Sequence, residues 1–173
     1  MDTIIKLIDR LNVGVRYLCA LLLGIMTIAV TFQVVTRFAA KYFELHLPDW
    51  SEELARYSMI WLVFLGTALA VRYSALIGVE AIVERLSPTA SRIVRILVTI
   101  VTLFFFIILI YYGFMMLGHV SAQVSPSLRI PMSIPYAALP ISGIFMLLNA
   151  IAVLLETIKG KAGLQKEVFS GSE

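Results

Sequence analysis

Charge is scarce in this sequence. Of its 173 residues, 14% are Asp, Glu, Lys or Arg and 60% are hydrophobic. A soluble domain carries about 25% charged residues, so this composition excludes an ordinary soluble globular protein and points to lipid as the solvent. The formal charge of +3 is small. Its basic residues are scattered between apolar blocks, which argues against a nucleic-acid surface. Cysteine is nearly absent too. Cys19 stands alone, so no internal disulfide can form, and His46 and His119 are the only histidines. No Cys/His set with metal spacing exists, and two histidines cannot supply the four axial ligands of a two-haem bundle. No HExxH, phosphate-binding loop or nucleophile elbow is present. Ser142-Gly143 is half of an intramembrane serine-protease motif, but no membrane-embedded His is available to activate that Ser. The centres of the apolar blocks also lack ionisable residues, which a transporter or proton channel acting alone would carry. Gln33 and Asn149 are the deepest polar groups, and Glu156 is placed to pair with Lys159 three residues on. The chain is therefore read as a non-enzyme that binds no solute, metal or cofactor of its own.

Long hydrophobic runs are what the sequence does have. A membrane helix needs about 20 apolar residues, and four blocks meet this: about 16–36, 51–71, 92–118 and 134–158. Runs such as "LLLGIMTIAV" and "TLFFFIILIYYGF" are apolar on every side. A transmembrane barrel would instead alternate over segments of about 10 residues. The expected fold is an all-α integral membrane protein with one four-helix domain over 1–160 and a polar tail over 161–173. The uncharged run from Tyr17 to Thr36 is longer than a signal-peptide core, so it reads as a retained first span.

Lysine and arginine set the expected orientation. Lys6, Arg10 and Arg16 precede the first span, Arg72, Arg85, Arg92 and Arg95 lie between the second and third, and Lys159, Lys161 and Lys166 follow the fourth. The opposite side holds Arg37, Lys41, Arg56 and Arg129, mixed with Glu44, Asp49, Glu52 and Glu53. This asymmetry places both termini in the cytoplasm. After the second span, "ALIGVEAIVERLSP" suits a short amphipathic helix on the inner membrane surface. In the last link, Pro126 and Pro131 belong to an outer turn, Pro135 fits the first turn of the fourth helix, and Pro140 is placed to kink it.

The stretch "PDWSEELARYSMIWLVFLGTALAVR", Pro48 to Arg72, sets acids and an arginine directly against an apolar run. Either Ser51 or Asp49 can cap this helix. Glu52 and Glu53 fall in its first turn, where negative charge is favoured, and Arg56 can pair with either. Trp50 and Tyr57 mark the membrane interface. About 15 uncharged residues separate Arg56 from Arg72, short of the usual 20 or so. Arg56 is therefore expected to lie below the surface and to need a partner, inside the chain or on another protein. Small residues one turn apart, Ala20/Gly24, Gly66/Ala70, Ala70/Ser74 and Ala138/Ser142, allow close helix contact.

From Trp50 to Arg72 the chain strongly resembles the signature of the small membrane subunit of TRAP transporters, the tripartite ATP-independent periplasmic transporters (DctQ-like family). That signature has Trp, Ser or Thr, Glu-Glu, an apolar residue, a small residue and Arg, then an aromatic-rich span and a closing Arg. "IGVEAIVERLSP" and "IPMSIPYAALPISGIFMLLNAI" resemble later segments of the family. The likeness covers most of Ile4 to Ile158. Leu76 stands where the family often has His, and Glu80 where Asp is common. The resemblance implies an inner-membrane scaffold on a large, elevator-type membrane subunit that carries sodium and an organic acid. A soluble periplasmic protein would deliver the substrate. The signature candidates carried over are Trp50, Ser51, Glu52, Glu53, Arg56 and Arg72. Two other readings compete. An unrelated four-helix anchor would require embedded His, Cys or acid pairs, and a small homo-oligomeric exporter an ionisable residue at a span centre.

Overall fold

The apolar runs fold into long helices. The computed structural model describes residues 2–43, 49–73 and 88–158. Helix α1 covers Asp2–Phe43, α2 Asp49–Tyr73, α3 Pro88–Val120, α4 Ser133–Tyr136 and α5 Ala138–Ile158. No strand occurs among the described residues, only an isolated bridge between Val124 and Pro131. Among the described residues, four stretches are long and apolar enough to cross a membrane: Ile5–Ala40, Asp49–Tyr73, Thr89–Val120 and Ser133–Ile158. The protein is thus an all-α membrane protein with four spanning helices. The expected surface helix and polar tail lie outside the described residues.

The first helix departs most from its expected bounds. It begins near Asp2 rather than Arg16 and has 42 residues, about 63 Å at 1.5 Å per residue. The hydrocarbon core is about 30 Å thick, so α1 reaches well past the lipid. The segment before Arg16 carries charges and so does not read as a span. It is nonetheless helical, and it buries Ile8, Asn12 and Val15 against the rest of the chain.

The helices form a row rather than a four-cornered bundle. α1 packs on α2, α2 on α5, and α5 on α3, with only a light contact between α1 and α5. Ala68 and Val71 of α2, Met146 and Ala150 of α5, and Phe106 of α3 make the buried cluster. Two glycines set the α3–α5 approach. A Cβ on Gly113 would lie 3.0 Å from Pro140 Cδ, and one on Gly143 would lie 2.8 Å from Ile110 Cγ1. A Cβ on Gly24 or Gly66 would meet nothing within 4 Å among the described residues. Of the small-residue pairs, Ala138/Ser142 is therefore used inside the chain, while Ala20/Gly24 remains on an open face. Leu7, Tyr17, Ile28 and Phe38 of α1 and Phe104 and Tyr111 of α3 are exposed. In water such a surface would aggregate. In a membrane it meets lipid or another helix.

Pro140 interrupts the last span. It has no N–H for the Tyr136 carbonyl four residues back, and its ring crowds that carbonyl. The helix breaks there into α4 and α5, with Ala137 N–H bonding back to Ser133 C=O at 2.8 Å. Pro135 sits in α4, in the first turn of the span.

Candidate functional site

The signature residues divide between the two ends of α2. At the start, Glu52 and Glu53 are adjacent, so they project about 100° apart around the helix. Glu52 stays on the outside. It accepts from Arg56 Nη2 at 2.7 Å, with both side chains more than half exposed, and lies 3.4 Å from Gln33 Nε2 of α1. Glu53 turns inward and is 8% exposed. Its carboxylate accepts from the Ser125 hydroxyl, from Ser127 N–H at 3.1 Å and from Leu128 N–H at 2.9 Å. These donors belong to the connection between α3 and α4. That connection folds back on itself through Ser125 N–H to Ile130 C=O and Met132 N–H to Gln123 C=O, both 2.9 Å. Arg129, at its tip, has φ 51°. Glu53 is thus the internal acceptor around which the loop is built. Trp50 is partly exposed and its ring lies 5.8 Å from that of Phe32 in α1. Ser51 is fully buried, and the helix begins at Asp49.

Arg56 has an internal partner of the kind expected for it, Glu52, but it is not the most buried cation among the described residues. That cation is Arg72. Its side chain is 3% exposed. It donates through Nε to Asp9 of α1 at 2.9 Å, and through Nη1 and Nη2 to Glu156 of α5 at 2.6 and 2.8 Å. A planar guanidinium suits this three-bond, two-partner arrangement. Glu156 is therefore committed to Arg72, and its expected partner Lys159 lies outside the described residues. One turn deeper, Asn12 and Asn149 exchange side-chain amide bonds at 2.6 and 3.0 Å, and Asn149 also donates to the Ala68 carbonyl at 2.6 Å. Two polar layers thus join α1, α2 and α5 at one end.

Asp9, Asn12, Glu156 and Ser125 were not singled out by sequence as members of these networks. One signal pointed to the acids. Arg72 has Ala68, Leu69, Ala75 and Leu76 at its helical neighbour positions, so its acid had to come from another helix. Asn149→Leu is expected to strand both Asn12 and the Ala68 carbonyl. Interhelical hydrogen bonds in membranes are worth about 0.6–2 kcal/mol, and a double-mutant cycle with Asn12→Leu, read by thermal unfolding in detergent, checks that coupling.

No group of three or more His, Cys, Asp or Glu side chains among the described residues is placed to hold a metal. His119 of α3 is exposed, its Nδ1 2.8 Å from Met115 C=O. The Ser142 hydroxyl is buried with no hydrogen-bond partner among the described residues.

The model of the family described as "Tripartite ATP-independent periplasmic transporters, DctQ component" matches residues 26–160. This chain belongs to that family. The DctQ match spans both polar ends of α2 and reaches all four spanning helices, leaving out the first part of α1, which holds Asp9 and Asn12. A Haemophilus influenzae protein assigned as a TRAP transporter small permease is 28% identical over 148 residues, 86% of this chain and 89% of that one. The isethionate TRAP transporter permease protein DctMQ of Oleidesulfovibrio alaskensis is 32% identical over 132 residues, 73% of this chain. The chain spans only about 20% of that relative's length. The protein is accordingly a TRAP small permease subunit, a transporter component rather than an enzyme, in the bacterial inner membrane with several passes. Its family implies a large membrane partner.

Proposed function

We propose that this chain is the fixed scaffold of a sodium-driven TRAP transporter. It packs on a large, elevator-type subunit that binds sodium and an organic acid, while a periplasmic protein captures and delivers the substrate. Both termini lie in the cytoplasm, so the Glu53-anchored loop faces the periplasm. The observation that carries the reading is the DctMQ relative, in which a segment like this chain is one-fifth of a longer permease. Two features of the chain support it. The principal polar groups, Arg72, Glu53 and Asn149, are all consumed internally, which leaves little to bind a solute. The row of helices exposes broad apolar faces, suited to another membrane protein and to resisting drag while a neighbour slides.

Sodium-gradient uptake into vesicles holding the whole transporter tests this. Gln33→Leu is expected to leave the half-saturation concentration unchanged at normal complex levels, because Gln33 touches Glu52 and lines no solute path. A large rise would put this chain in that path. Uptake that ignores the sodium gradient would remove the proposed driving force.

A further inference from the structure

A cavity of about 420 Å³ lies beside the Glu53-anchored loop. It is large enough for part of a small molecule, since ligand pockets run from about 300 to 1,000 Å³. Ile60 and Phe64 of α2 and Leu139 of α5 line its apolar part, while Glu53, Arg56, Tyr57 and Tyr136 supply polar groups. It sits where the break before Pro140 interrupts the packing of the last span. The Tyr57 hydroxyl is directed to Met132 Sδ at 3.6 Å, and Glu53 already accepts from three loop donors. The interior therefore offers water few partners. Arg56 is different. Its side chain is 59% exposed, and among the described residues its carboxylate partner is Glu52, met by one Nη. A guanidinium has five N–H donors and pairs well with phosphate.

We propose that this cavity is a phospholipid site, with one acyl chain over Ile60, Phe64 and Leu139 and the phosphate on Arg56. Along α2 the lining runs from polar Glu53, Arg56 and Tyr57 to apolar Ile60 and Phe64, the headgroup-to-chain order of a phospholipid. The depth matches too, because Trp50, Tyr57 and Tyr136 are the ring types that sit at the boundary between headgroups and hydrocarbon. This inference does not depend on which solute the transporter carries.

Photo-cross-linking tests it in the native membrane with the full chain. Tyr136→p-benzoylphenylalanine places the reactive group at the cavity wall in a side chain of similar shape. Illumination followed by intact-mass measurement is expected to show addition of one phospholipid. Arg56→Gln should lower that yield roughly tenfold, the loss expected for a hydrogen bond to a charged group. Ile60→Trp should block it by filling the space. Cross-linking to a protein chain, absence of any adduct, or equal lipid yield in both variants would overturn the proposal. Inorganic phosphate alone should not raise the melting temperature of the detergent-purified protein. If it does while no lipid adduct forms, the site takes a soluble anion and the lipid assignment is wrong. Arg56→Gln changes an exposed side chain, so its result stands even if Ile60→Trp fails to fold.

Discussion

Arg72→Ala is expected to lower the stability of the folded chain by about 2–3 kcal/mol, less than for a fully buried pair, because the Asp9 side chain is 43% exposed. The reason is geometric. Arg72 holds Asp9 of α1 and Glu156 of α5 together, and its removal leaves two carboxylates facing each other without a cation. Arg72→Lys keeps the charge but cannot reach from the Nε and both Nη positions at once, so an intermediate loss is expected. Combining Arg72→Met with Asp9→Asn and Glu156→Gln should recover much of the stability, because no charge is then stranded. Thermal unfolding of the purified protein in mild detergent reads all three. An unchanged midpoint for Arg72→Ala would mean that the joint between α1, α2 and α5 rests on apolar packing alone.

Glu53→Ala should act at the other end of α2 and more locally. It strands the Ser125 hydroxyl and the Ser127 and Leu128 amides. Leaving such donors unmatched costs about 1–3 kcal/mol each when buried, and access of water to the released loop limits the total. The expected signature is faster hydrogen exchange at the Ser127 and Leu128 amides, with the α1–α2 contact unchanged. Glu52→Ala is the control. Its pair with Arg56 is exposed and four residues apart, so a change within about 0.5 kcal/mol is expected. Equal loop exchange in the two variants would show that the loop is held by its own backbone bonds and not by Glu53.

This contrast answers the question posed by two adjacent acids at the mouth of a span. One is a local helix pair and the other is the acceptor that folds a distant loop. The helix period shows that Glu52 and Glu53 must diverge, but not which of them faces the loop. Ser125 lies 72 residues away from Glu53, and no local pattern links them. The membrane class and the four spans were legible because apolar runs of span length are a strong, local signal. The helical start of α1 was hidden by Lys6, Asp9 and Arg10, whose charges read as a flank although Asp9 serves the interior. Arg72 was recognised as a closing residue, yet its depth depended on acids from two other helices. The row arrangement also escaped the sequence, because each helix is apolar around most of its circumference and does not declare which face meets a neighbour.

Co-purification is the most direct test of the scaffold claim. The full chain would be tagged, extracted in mild detergent from its native membrane, and weighed with whatever accompanies it. The account predicts a stable complex with a large multi-span protein at equal stoichiometry. A clean homo-oligomer with no such partner would contradict it and favour a small self-sufficient exporter.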